Sequence, residues 1–350
     1  GKPDFAAPFA EGPLARGFQQ FHGIAASADM PPYVLLEGDR AVTAPTATFG
    51  AGVEPCKPGP AAPGWKAEDL LEDVTLRAIA ELRKTRDDPR PFFLFVSLPS
   101  PHTPIAPGPH WKGRSGINDY ADFVMETDNS IGRILMALRE TGRAEDAFVA
   151  ITSDNGCSPE AGLAKLAEVG HYPSAGFRGM KSDLYEGGHR VPTLMRWPRR
   201  ISRGSASDAL GGSNDLYATL LDVAGVPAPA GKGGEDSVSL LPVLLGKATS
   251  VRDSLIHHSI NGSFAFRKGR LKLLATAGSG GWTVDREQAG RAKLDFQLYD
   301  MREDPVESED LARVRGEKAE ELREEMIQQI KAGRTTPGPS SANDVEVRGY

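Results

Sequence analysis

Residues 148–156 read Phe148-Val149-Ala150-Ile151-Thr152-Ser153-Asp154-Asn155-Gly156. A short, continuous apolar run opens directly into a carboxylate, an amide and a glycine. The run suits a buried strand, and the polar residues would then sit at the strand's carboxyl end. In open α/β sheets ligands bind at that end. Working outward, residues 118–141 place Phe123, Ile131, Leu135 and Leu138 on one helical stripe, with Gly142 as the stop. Before them, Pro91-Phe92-Phe93-Leu94-Phe95-Val96-Ser97-Leu98 is a second apolar run bounded by prolines, predicted as another strand covered on both faces. Residues 65–86 are helical in spacing and end at Asp87-Asp88-Pro89. Helix, strand, helix, strand predicts an α/β fold: a central mixed, largely parallel sheet sandwiched by helices.

The texture changes near residue 250. Short strand candidates at 264–267, 271–274 and 296–299 alternate with Gly-rich turns, and a charged helix follows at 316–331. The expected organisation is a main domain over 1–249, a small antiparallel C-terminal subdomain with a closing helix over 250–334, and a flexible tail over 335–350. Residues 1–64 read as loops and short strands.

Composition narrows the function classes. The 350 residues carry 41 basic and 47 acidic side chains, net charge −6, and no basic run with interleaved aromatics, which argues against nucleic acid as a partner. No apolar stretch approaches the roughly 20 residues of a membrane span. The 39 glycines and 27 prolines fit a loop-rich α/β chain better than a helical bundle. Cys56 and Cys157 are too few for a disulfide framework, and pairing and reduction both stay open.

Three segments carry side chains with chemistry. Ser100-Pro101-His102-Thr103-Pro104 follows the 92–98 run, and its prolines hold His102 at the strand mouth. A loop histidine bonded to backbone is the plainer alternative. Asp154 and Asn155 offer hard oxygen donors suited to Ca²⁺ or Mg²⁺, although an Asx-turn closing a strand uses the same residue types. Between Gly176 and Pro192, glycines and proline frame Arg178, Lys181, His189 and Arg190. Such a loop can present fixed cations to an oxyanion, or it can be a solvated basic loop.

In this order the three segments resemble the type I sulfatases of the alkaline phosphatase superfamily. The matching residues are Ser100-Pro101-His102-Thr103-Pro104, Ser153-Asp154-Asn155-Gly156, and Arg178-Gly179-Met180-Lys181 followed by Tyr185-Glu186-Gly187-Gly188. Gly17-Phe18-Gln19-Gln20-Phe21-His22-Gly23 and the stretch from Leu298-Tyr299-Asp300 through Asp304-Pro305 to Glu307 add two more. The resemblance implies an alkaline phosphatase-like fold and a calcium-dependent hydrolase acting on sulfated carbohydrates or aryl sulfates. Asp154 and Asn155 would be metal ligands. Lys181 would hold a sulfate oxygen, and His102 would protonate the leaving alcohol, so both would bind substrate and act in catalysis. Their convergence at one end of the sheet is expected. Family membership also implies export to a periplasm or the exterior.

The departures are equally specific. The family's Cys-x-Pro-Ser-Arg motif, whose Cys or Ser becomes the formylglycine nucleophile, has no match. Cys56-Lys57-Pro58-Gly59-Pro60 lacks the Ser and Arg. The pair of adjacent aspartates that completes the family's metal site is also missing, and Gly1-Lys2 only echoes its Gly-Lys-Trp-His element. An N-terminally truncated sulfatase, inactive alone, is therefore the expectation. A phosphodiesterase or phosphonate hydrolase of the same superfamily and a noncatalytic glycan-binding relative are the alternatives.

Overall fold

The structure, a computed structural model, describes residues 11–229, 233–283 and 296–348. Gly1 and Lys2 lie outside them. The chain is α/β and divides into two compact units. One holds the described residues up to Glu145 together with Glu160–Gly170, and the other holds Asp146–Pro159 and the described residues from His171 onward. The boundary expected near residue 250 lies inside the second unit.

The first unit is built on two helices. In α1 (Leu70–Lys84), Leu70, Leu71, Thr75, Ala78, Ile79 and Leu82 are buried on one side, and Glu72, Asp73, Arg83 and Lys84 complement the helix dipole at its two ends. In α2 (Asp119–Glu140) the Asn118 side chain caps the first turn by accepting the Ala121 N–H at 3.0 Å. The helices pack together, and Arg133 grips Glu72 through both guanidinium nitrogens at 2.5 and 2.9 Å. A short α3 (Leu163–Glu168) belongs to the same unit. Ahead of the helices, β1 (His22–Gly23), β2 (Leu36–Glu37) and β3 (Arg40–Ala41) form one antiparallel sheet, and β4 (Ala47–Phe49) pairs antiparallel with β5 (Gly59–Ala61). Tyr33, Cys56 and Ala61 make a small core there, with Phe49 and Trp65 packed on it.

In the second unit β6 (Val149–Thr152) pairs antiparallel with β7 (Thr193–Arg196), α4 (Glu186–His189) lies between them in sequence, and α5 (Asp215–Ala224) and α6 (Leu241–Leu244) follow. The largest sheet joins β8 (Ser254–His258), β9 (Phe264–Lys268), β10 (Leu271–Leu274) and β11 (Gln297–Asp300) as antiparallel neighbours. Its two faces sort by the period of two. Phe266, Leu273 and Leu298 turn to one side and pack with Ala319, Leu322, Met326 and Ile330 of α7 (Gly316–Lys331). Ala265, Leu274 and Tyr299 turn to the other and pack with Leu184 and Tyr185. A face of this sheet thus clamps the Gly-rich loop noted in the sequence. The 335–350 tail, expected to be flexible, carries hydrogen bonds from Thr335 N–H to Asp236 Oδ1 at 2.7 Å and from Asn343 Nδ2 to Ile330 O at 2.9 Å.

Two strand expectations change. Residues 92–98 form no ladder, and Phe93 and Phe95 are 61% and 69% exposed. The 148–152 run does form a strand, but along β6 half-buried and exposed residues alternate. Both runs have the composition of covered strands; among the described residues the first has no partner and the second has one. A strand is buried on both faces only when neighbours and helices supply the cover. Every named ladder among the described residues is antiparallel, and the one parallel pairing is the isolated bridge between Tyr33 and Ala61. No helix among the described residues is long and apolar enough to cross a membrane.

Candidate active site

The Asp154-Asn155 turn and the Lys181 loop are stitched together by backbone. Gly156 donates its N–H to Gly188 O at 2.9 Å, and Lys181 donates its N–H to Cys157 O at 2.8 Å. A Cβ on Gly156 would stand 1.9 Å from Gly187 O, and one on Gly187 would stand 2.4 Å from Gly179 O. The φ of Gly156 is not in the left-handed region; glycine is needed there because the backbone of Gly187 passes where a side chain would be. Asp154 is exposed and Asn155 half-buried. The Asn155 Nδ2 donates to Gly156 O at 3.1 Å.

The Lys181 loop is held from beneath. Ser182, next to Lys181, has φ 85°, a conformation an L-residue keeps only when its surroundings impose it. The imposing neighbour is Asp183, 3% exposed, whose carboxylate accepts N–H groups from Met180 at 2.9 Å, Trp282 at 2.8 Å and Thr283 at 3.1 Å. Arg178 stacks over the Tyr185 ring at 4.1 Å and donates to Glu307 O at 2.8 Å.

Beneath Gly187 and Gly188 lies a buried charge cluster. Lys272 Nζ is 2.9 Å from Glu186 Oε1, 2.7 Å from Glu307 Oε1 and 3.0 Å from His189 Nε2. Lys272 and Glu307 are fully buried. Burial works against the Glu186 carboxylate, but Lys272 and Arg190 outweigh it and hold the group below the usual range. Burial wins at Glu307 and pushes it up despite the same lysine. The His189 and His257 rings meet at a 46° tilt with centroids 3.9 Å apart, and burial holds both well below an ordinary imidazole, with Lys272 adding to the effect at each and His189 itself adding to it at His257.

His102 belongs to the first unit and is described there. It is exposed, in a turn tied to α2 by Thr127 Oγ1 donating to Ser100 Oγ at 2.7 Å. Its Nδ1 lies 2.8 Å from Thr103 O. A carbonyl only accepts, so that contact assigns the proton to Nδ1 and leaves Nε2 as the nitrogen that exchanges one. Of the four residues singled out from sequence, Asp154, Asn155 and Lys181 thus share one unit and two backbone joints.

The donor set suits a hard divalent cation in kind, since a carboxylate and an amide oxygen are what Ca²⁺ prefers. It falls short in number: among the described residues no group of three or more His, Cys, Asp or Glu side chains could hold a metal ion. Neither Cys56 nor Cys157 is in a disulfide. Sequence reasoning missed Asp183 and Lys272. Lys272 had a signal, a lone charge inside Leu271-Lys272-Leu273-Leu274, where every neighbour is apolar.

Residues 6–226 match the sulfatase family, and residues 179–274 match a family described as N-sulphoglucosamine sulphohydrolase, C-terminal. An N-acetylgalactosamine-6-O-sulfatase of Bacteroides thetaiotaomicron is 29% identical over 273 residues, covering 76% of this chain and 52% of that protein. Human arylsulfatase A is 32% identical over 322 residues, covering 85% of this chain and 60% of its own. The chain thus spans a little over half the length of these relatives. A solved Bacteroides thetaiotaomicron structure, described in connection with the metabolism of multiple glycosaminoglycans, superposes with a TM-score of 0.80 at 24% identity, covering 94% of this chain and 75% of that one. A Pseudoalteromonas sulfatase superposes with a TM-score of 0.62 at 22% identity, covering 75% and 52%. These likenesses carry the alkaline phosphatase-like fold.

Proposed function

The chain belongs to the sulfatase family, and from that membership we propose that its residues serve the hydrolysis of sulfate esters of sugars or aryl alcohols. The observation that carries the reading is the double joint between the Asp154-Asn155 turn and the Lys181 loop, Gly156 N–H to Gly188 O and Lys181 N–H to Cys157 O. It fixes the bases of two oxygen donors and one ammonium group at neighbouring points of one backbone framework. Sulfate carries the opposite charge to Lys181 and to a divalent ion, so both would favour it there.

When the sulfur–oxygen bond breaks, the alcohol oxygen leaves with the electron pair and needs a proton. His102 would supply it from Nε2, with Nδ1–H steadied by Thr103 O. Lys181 would hold a sulfate oxygen as charge shifts. Calcium on Asp154 and Asn155 would neutralise further sulfate charge. Covalent attack would come from formylglycine, as in the family, and no Cys-x-Pro-Ser-Arg segment occurs in these 350 residues. The relatives' names, an N-acetylgalactosamine-6-O-sulfatase and an arylsulfatase, favour a sulfated carbohydrate or aryl sulfate as the ester. Export to a periplasm or the exterior belongs to the same reading.

The test is sulfate release from a generic aryl sulfate by the complete gene product with formylglycine installed, run beside a phosphodiester and a phosphonate ester. Faster turnover of either phosphorus ester would replace sulfatase with its superfamily alternative.

A further inference from the structure

The buried lysine under the Gly187-Gly188 backbone lies one layer below the candidate site and touches none of its proposed ligands. We propose that Lys272 is a positioning residue: by drawing Glu186 and Glu307 together it sets the backbone on which the Asp154-Asn155 turn and the Lys181 loop are hung.

The chain of contacts is short. Lys272 stands on β10 with its side chain on the sheet face that also bears Leu274 and Tyr299, the face that meets Leu184 and Tyr185. Its ammonium group bridges Glu186 Oε1 and Glu307 Oε1. Glu307 Oε2 in turn accepts the Glu186 N–H at 2.6 Å, so the same carboxylate holds both the lysine and the first residue of α4. From there Gly187 N–H donates to Arg178 O at 2.7 Å, and Gly188 O accepts from Gly156. One end of this path is the Lys181 loop and the other is the metal-ligand turn. Glu307 itself sits at φ 59°, fully buried, a conformation a glutamate keeps only where its partners hold it. An ion cluster this dry gains little stability over apolar residues of the same size, so a role in geometry accounts for its charges better than a role in stability. The importance of that geometry rests on the sulfatase reading; the geometry itself does not.

Amide hydrogen exchange on the 350-residue chain tests it, because exchange reports local opening without needing turnover. Lys272→Met alone would strand two buried carboxylates and risks unfolding. The deciding variant is the triple Lys272→Met/Glu186→Gln/Glu307→Gln, which removes all three charges. The expected result is exchange at least tenfold faster at the Gly156, Lys181 and Gly187 amides, with α5 and α7 unchanged. Unchanged exchange at those three amides overturns the proposal. So does loss of protection throughout the unit, which would make the cluster a general staple. The same amides in the unsubstituted chain, titrated with CaCl₂ and with sodium sulfate, read the site separately. Slowing by either salt supports the sulfatase reading of the turn, whose failure is read by the absence of sulfate release from the complete gene product, while the positioning role stands or falls on the triple variant.

Discussion

Gly156 and Gly188 are joined by a 2.9 Å backbone hydrogen bond across 32 positions of sequence, and the carbonyl of Gly187 passes so close that a Cβ on Gly156 would stand 1.9 Å from it. Backbone cannot yield as the end of a flexible side chain can. Gly156→Ala should therefore push the two segments apart and cost at least about 2 kcal/mol. The measurement is the urea midpoint of the chain, and an alanine variant within about 0.5 kcal/mol of the parent would show that the approach is looser than drawn.

That pair also marks where sequence reading stopped. The helices were legible because stripes and stops are local: Phe123, Ile131, Leu135 and Leu138 at helical spacing with Gly142 after them. Strand, turn and carboxylate at 148–156 were legible for the same reason. The burial of that strand was not, because an apolar run says what could cover it but not whether cover exists. Nor was the reason for Gly156, which depends on a carbonyl 31 residues away. Glu307 was noted only as part of a resemblance, and its work on Lys272 and on the Glu186 N–H needed the folded sheet.

Stability should fall as pH drops below about 6.5. His189 and His257 are held neutral in the fold, well below the 6.5 of a free imidazole. The unfolded chain then binds more protons than the folded one between 6.5 and the depressed values. Their contribution is complete above pH 6.5 and is lost as pH falls toward those values, at up to about 1.4 kcal/mol per pH unit for each ring. His189 keeps 31% of its side chain exposed, so water screens it and His257 should carry most of the slope. The lysine and arginines facing the rings, Lys272, Arg190 and Arg267, add to it, while Glu186 opposes it at His257. Glu307 acts in the opposite sense as pH falls through its raised value toward 4.5, since burial favours its protonated form and the fold takes up that proton first. Urea midpoints at pH 7.5, 6.5 and 5.5 for the parent and for His257→Gln check this; equal slopes in the two proteins would refute it.

Calcium should bind these 350 residues more weakly than about 1 µM. The ion takes 6–8 oxygens and gains affinity with each carboxylate, and Asp154 with Asn155 supplies one carboxylate and one amide. Calorimetric titration with CaCl₂ decides the point. Sub-micromolar binding would send attention to other acidic loops, starting with Asp300 and Asp304. Both are already engaged, Asp300 with Arg270 and Asp304 with the Glu309 N–H.

Activity gives the most direct test of the two residues assigned to chemistry. In the complete gene product with formylglycine installed, His102→Ala should lower kcat for an aryl sulfate by about 10²–10⁴-fold, the usual worth of a positioned general acid. The loss should shrink as the leaving alcohol becomes more acidic, because an alcohol that departs readily as an anion needs less help from a proton. Lys181→Ala should cost about 10²–10³-fold, typical of one removed oxyanion donor, and should cost nearly the same for every leaving group. The contrast separates the roles: protonation of the departing oxygen scales with that oxygen's basicity, whereas a cation on the sulfate core does not. Lys181→Arg keeps the charge but not the compact ammonium group, so it should recover only part of the loss. Full activity in His102→Ala would leave the Ser-Pro-His-Thr-Pro turn as a structural corner whose histidine merely bonds Thr103 O. A leaving-group dependence in Lys181→Ala, with none in His102→Ala, would exchange the two assignments.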